Sequence, residues 1–151
     1  MTITIEKMAS VKVIYMRKTG PYGFSNFQLM EKFKSWLITK GLLTASSVIL
    51  GIIQDNPRLV KPEACRYDTC LVVASDYGPV EDGVFTDHIL GGKYAVLMIA
   101  HTAEAIQNAW GSIFEELMGK GFIIDESRPL IERYKAELLR EHLCEICIPV
   151  L

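Results

Sequence analysis

Residues 129–143 read PLIERYKAELLREHL, a stretch that fits two incompatible periodicities. Leu130, Ile131, Tyr134, Leu138 and Leu139 recur at helical spacing, with Ser127 as a cap and Pro129 near the first turn. Read with period two instead, Leu130, Glu132 and Tyr134 share one face of a strand while Ile131, Arg133 and Lys135 take the other. Propensity alone favours the helix. The rest of the chain decides for a strand over 129–135, followed by a short helical turn over 136–142.

The deciding argument is internal repetition. VKVIYMR at 11–17 alternates Val11, Val13 and Tyr15 against Lys12, Ile14 and Met16, as a strand packed on both sides does. After the turn signal Gly20-Pro21-Tyr22-Gly23, the residues Phe27, Met30, Phe33 and Leu37 follow helical spacing until Lys40-Gly41 closes the segment. SSVILGIIQDNP, ending in the turn signal Asp55-Asn56-Pro57, and RYDTCLVVAS then read as strands. Beyond a glycine-rich, acidic stretch at 76–87, expected to be a solvated loop, the pattern restarts. KYAVLMIAH at 93–101 is a buried strand, and Thr102 caps a helix with Glu104 in its first turn. Ile106, Ala109, Trp110, Ile113 and Leu117 form the apolar stripe of that helix before Gly119 and Gly121 stop it. A shift of 80 sets Lys40-Gly41 on Lys120-Gly121, Phe33 on Ile113, Leu37 on Leu117 and Met30 on Trp110, and a shift of 77 sets Asp68-Thr69-Cys70 on Glu145-Ile146-Cys147. The sequence therefore predicts an α+β fold in a single domain over 1–151. Two β-α-β-β repeats, about 11–75 and 84–150, predict a pseudo-two-fold arrangement with a groove between the halves, a favoured place for a ligand.

Composition agrees with a folded domain. Half of the 151 residues are hydrophobic and 23% are charged, a globular balance rather than a disordered one. Sixteen Lys and Arg against eighteen Asp and Glu leave a net charge of −2, without the basic stripe that phosphate contacts need, so direct nucleic-acid binding is not expected. The apolar runs are far short of the about 20 residues of a membrane span, and Glu6 and Lys7 interrupt the N-terminal stretch where a signal peptide would be apolar. A cytoplasmic protein is expected.

Four cysteines pair as Cys65 with Cys70 and Cys144 with Cys147, a pattern that raises a zinc site. Both segments read as strands, however, and strand residues three apart face opposite ways, so reduced buried thiols are expected in place of a metal. His88, His101 and His142 carry no ligand spacing, Ser46-Ser47 lacks a glycine-flanked nucleophile elbow, and Gly91-Gly92-Lys93 lacks the frame of a phosphate loop. No cofactor is implied.

Five strings in order, GPY at 20–22, RYDT at 66–69, GGKYAV at 91–96, P-x-x-E-x-Y at 129–134 and EICIPV at 145–150, resemble the GyrI-like small-molecule-binding family. That family includes DNA gyrase inhibitory proteins and the effector-binding domains of AraC-type and MerR-type regulators. The resemblance runs from about Val11 to Val150. It implies that the two β-α-β-β units build a curved, mostly antiparallel sheet with two main helices and a central groove, a pocket in which the acid of P-x-x-E-x-Y, Glu132, meets cationic or polar aromatic ligands among aromatic side chains. The chain lacks an attached helix-turn-helix segment, so it is not expected to be a regulator by itself, and its 136–143 segment is more helical than the family's.

Glu132 is the centre of the candidate site. From the residues alone, three roles are open: an internal ion pair with Arg17 or Arg66, a counter-charge for a cationic ligand, or a carboxyl of raised pKa acting on protons. The resemblance favours the ligand. Tyr134 lies two residues away, Trp110 has an indole N–H needing a partner, and Tyr15 and Met30 are further candidates for the ligand-binding walls. The leading expectation is a binding protein for hydrophobic, often cationic, small molecules. The resemblance also implies DNA gyrase as a protein partner. An enzymatic alternative, whose substrate class is implied by the same resemblance, has Glu132 and a tyrosine as acid and base hydrolysing electrophilic, cyclopropane-type toxins.

Overall fold

The computed structural model, which describes residues 2–151, contains one eight-stranded antiparallel sheet with helices on one of its faces. In chain order the elements are β1 (Ile3–Met8), β2 (Val11–Thr19), α1 (Phe24–Thr39), β3 (Val48–Ile53), a 3-10 turn at Pro62–Ala64, β4 (Arg66–Val73), β5 (Phe85–Ile89), β6 (Gly92–Ala100), α2 (Ala103–Gly119), β7 (Leu130–Lys135), the single turn α3 (Ala136–Leu139) and β8 (Leu143–Pro149). The succession β2-α1-β3-β4 recurs as β6-α2-β7-β8, and 130–135 is a strand with a helical turn after it, as the repetition requires.

Both long helices begin and end on signals visible in the sequence. Thr102 accepts a hydrogen bond from the Ala105 amide at 3.1 Å, capping α2. Each helix closes on the repeated Lys-Gly pair. Gly41 at φ 66° and Gly121 at φ 84° take left-handed conformations. The following amides, Leu42 and Phe122, return to the carbonyls of Leu37 and Leu117 at 3.0 Å.

The strand order is β1-β6-β8-β7-β3-β4-β2-β5, which places β3 against β7 at the centre and β1 and β5 at the edges. Only Ala9 and Ser10 join β1 to β2, and only Leu90 and Gly91 join β5 to β6, yet each pair stands six places apart in that order. Six strand spacings span about 29 Å in a flat sheet, whereas a two-residue link reaches about 11 Å. The sheet must curl. On its inner face Val13 of β2 and Ile89 of β5 share one apolar cluster with Tyr94 and Val96 of β6. The outer face carries α1 over Ile14, Met16, Ile49 and Leu71, and α2 over Ala95, Leu97, Ile146 and Ile148, leaving β3 and β7 between the two helices.

Two strands were not anticipated. β1 lies outside both sequence repeats, and Phe85–Ile89 forms β5 where the acidic stretch is expected to be loop up to residue 87. Both are edge strands with half or more of their residues exposed or intermediate, so they carry little of the apolar pattern that marks an inner strand. Cys144 and Cys147 fall in different clusters on opposite faces of β8, and all four cysteines are free and buried. No helix among the described residues is long and apolar enough to cross a membrane.

Candidate functional site

The register β8-β7-β3-β4-β2 aligns Ile146, Glu132, Gly51, Thr69 and Met16 across the outer face. Glu132 therefore rises from the middle of the sheet, in the gap between α1 and α2, with 8% of its surface exposed. Three side chains hold it. The Tyr67 hydroxyl donates to Oε1 at 2.8 Å, the Tyr134 hydroxyl to the same oxygen at 3.2 Å, and the Trp110 indole Nε1 to Oε2 at 3.1 Å. β4, β7 and α2 each supply one donor.

All three donors are neutral. Among the described residues no lysine, arginine or histidine nitrogen lies within 4.0 Å of Glu132. The internal ion pairs open from sequence are made elsewhere: Arg17 binds Asp68 at 2.6 and 2.9 Å, and Arg66 binds Asp55 at 2.9 Å through each of two nitrogens. Burial pushes the Glu132 carboxyl above the usual carboxylate range, against the hydrogen bonds of Tyr67, Trp110 and Tyr134, which act to lower it. Burial, reinforced by the Glu132 charge, also raises both phenols, so Tyr67 and Tyr134 remain protonated donors at neutral pH.

Of the side chains singled out from sequence, Glu132, Tyr134 and Trp110 meet directly. Met30 lies buried on α1 in the apolar cluster that contains Tyr134. Tyr15 does not join them. It pairs with Cys70 in the β2–β4 ladder, one residue out of phase with Met16, so its side chain is on the inner face. There its ring lies 5.7 Å from Phe85 and 5.4 Å from the Arg17 guanidinium. Sequence reasoning missed Tyr67 and Gly51. A Cβ at residue 51 would sit 2.5 Å from Glu132 Oε1 and closer still to the Tyr67 hydroxyl. The signal was a glycine inside the β-branched run VILGII, a mark of close approach in a strand.

The cluster is nearly buried, with Glu132 and Tyr134 below one tenth exposed. Surface depressions of about 250 Å³, beside Thr44, Ser47 and Tyr77, and about 350 Å³, between β6 and α2, do not include Glu132. Half-buried Trp110 is the most exposed of the three donors.

The profile of the GyrI-like small molecule binding domain matches residues 1–151. The SPbeta prophage-derived protein YosT of Bacillus subtilis (strain 168), named a transcriptional regulator, is 40% identical over 151 residues, covering 99% of each chain. A DNA gyrase inhibitor of Edwardsiella piscicida is 27% identical over 155 residues, covering 99% of this chain and 98% of its own. Among solved structures, SAV2435 bound to tetraphenylphosphonium superposes with a TM-score of 0.63 at 15% identity, covering 100% of this chain and 94% of that one. At that identity the likeness concerns the fold.

Proposed function

The chain belongs to the GyrI-like small-molecule-binding family, and from that premise we propose that it binds hydrophobic cations, with Glu132 as their counter-charge between α1 and α2. One observation carries the reading: a buried carboxylate held by three neutral donors, with no lysine, arginine or histidine nitrogen of the described residues within 4.0 Å. Those donors occupy three of its roughly four hydrogen-bonding directions but bring no charge to compensate its own. A delocalised cation supplies the charge without requiring hydrogen bonds, and the rings of Tyr67, Trp110 and Tyr134 offer it π-face attraction of about 0.5–2 kcal/mol each. The tetraphenylphosphonium in the SAV2435 structure is a ligand of this chemistry.

Calorimetric titration with tetraphenylphosphonium and with neutral triphenylphosphine oxide tests the charge role. Glu132→Gln, which keeps the shape and removes the charge, is expected to weaken the cation about tenfold or more and to leave the neutral compound within about twofold. Equal losses for both ligands would reject it.

A second reading follows from the Edwardsiella relative: a protein partner, DNA gyrase. It predicts inhibition of supercoiling by the purified chain with no small molecule added, and an unaffected supercoiling assay excludes it.

A further inference from the structure

Tyr134 is the partition of the site. Its hydroxyl points inward to Glu132, while its ring meets two groups that reach solvent. The Lys34 ammonium of α1 stands 5.9 Å from the ring centroid, and the exposed His101, between β6 and α2, meets the ring edge-on with centroids 5.5 Å apart. Lys34 follows Met30 by one helical turn, so its stem leaves the buried stripe of α1 and its head leans over the aromatic surface from the side of the gap.

We propose that Lys34 sets the charge selectivity of the Glu132 site: its ammonium occupies the Tyr134 ring face that a ligand cation would use, so a bound cation must displace it. This rests on reading Glu132 as a cation site. The chemistry favours one class of displacer. An ammonium is a compact, strongly hydrated charge on a flexible stem, and it returns to water at little cost. A small hydrated cation gains nothing over Lys34 at this ring. A large cation with an apolar shell gains burial and π contact together, and it replaces Lys34 while that side chain swings out. Lys34 is then a resident competitor that rejects weak cations and penalises every cation by repulsion, but leaves neutral ligands unaffected.

The test compares wild type, Lys34→Met and Lys34→Arg by calorimetric titration with tetraphenylphosphonium and with triphenylphosphine oxide. Methionine matches the lysine stem up to Cε, lacks the ammonium and suits a helix. Lys34→Met is expected to tighten tetraphenylphosphonium about 3- to 10-fold, the scale of one lost cation–π contact and one removed repulsion, with the neutral compound unmoved. Lys34→Arg keeps the charge and stacks better on a ring, so its cation affinity should equal or fall below that of wild type. An equal gain for both ligands in Lys34→Met would show a steric plug and overturn the proposal, as would no gain for the cation. If wild type binds the cation in a Glu132-dependent way and Lys34→Met gains nothing, this inference alone falls. If neither protein binds it, the cation reading of the site falls as well.

Discussion

At position 51 a single hydrogen stands where any other residue would press a carbon against Glu132 Oε1 and the Tyr67 hydroxyl. The carboxylate owes its three-donor seat to that gap in the adjacent strand. Gly51→Ala should push Tyr67 or Glu132 out of place. Expected are a loss of about 1–3 kcal/mol in urea unfolding, the range for overpacking a core, and at least tenfold weaker tetraphenylphosphonium binding. Wild-type affinity in this variant would show that the seat does not matter. Glu132 also leaves a signature in pH. Its carboxyl is raised in the fold, so between the unfolded value near 4.5 and the raised one the native state holds the extra proton. Stability from this group is therefore present below pH 4.5 and is lost as pH rises through the raised value. Unfolding of wild type and Glu132→Gln at pH 4.5 and pH 8 should show the variant gaining relative to wild type at the higher pH, and a constant difference would contradict the raised value. At this scale Glu132, Tyr134, Trp110 and Met30 were legible because motif and helical stripe name them directly. Tyr67 was not, because a tyrosine in a strand has the same pattern whether it packs or donates. That Tyr15 lies apart from Glu132 was not legible, because a strand buried on both faces gives no sign of which of its residues share a face with a distant strand.

β7 joins the site to a second buried cluster, since successive residues of a strand face opposite ways. Glu132 enters the helix-covered side, and Arg133, next in sequence, enters the inner one. There its guanidinium binds Glu145 of β8 at 2.8 and 3.0 Å and Glu6 of β1 at 2.8 and 3.1 Å. Glu6 is 42% exposed and contributes little by itself, but Glu145 is buried. Arg133→Met leaves that carboxylate with only Lys135, at 3.5 Å, and should cost about 3 kcal/mol, the low end for breaking a buried pair. The double variant Arg133→Met, Glu145→Leu should recover most of the loss, because an apolar pair avoids the desolvation of two charges. If the single variant is as stable as wild type by urea unfolding, the cluster carries no such load. Hydrogen exchange should also find the β1 amides losing protection first, as Arg133 ties that edge strand to the centre of the sheet. The strand identity of 130–135 was legible only through the repeat, because the local pattern of the segment suits a helix equally. The capped α2 and the Lys-Gly ends of both helices were legible locally, each being a self-contained hydrogen-bonding device. β1 and β5 were not, since an edge strand with one exposed side carries half a signal.

Curling at the level of the whole molecule brings the two short connections together. Gly91, between β5 and β6, passes directly over the β1–β2 link: its amide donates to Ser10 Oγ at 2.9 Å. A Cβ there would lie 2.6 Å from the Ala9 carbonyl carbon and the Ser10 nitrogen, and closer still to the Met8 carbonyl oxygen. These neighbours are backbone atoms, which cannot rotate away as a side chain tip can. No local pattern announces this crossing, because it depends on β1 pairing with β6 and β2 with β5, contacts between residues far apart in sequence. The repeat implied two related halves with a groove between them, but it carried no information about which strands would be exchanged between the halves. Closure at this point holds the ends of the sheet together, and so fixes the separation of α1 and α2 on its outer face and the gap in which Glu132 sits. Gly91→Ala should therefore destabilise the whole fold by about 2–4 kcal/mol in a single cooperative urea transition, the scale of a forced backbone shift in a packed region. Gly111→Ala is the matched control. It is the same chemical change in the interior of α2, where a Cβ meets nothing within 4 Å, and it should instead stabilise by about 0.5–1 kcal/mol through helix propensity and the loss of unfolded-state freedom. Opposite signs for the two substitutions locate the constraint in the crossing, and a stabilising Gly91→Ala would mean that the connections do not hold the sheet closed.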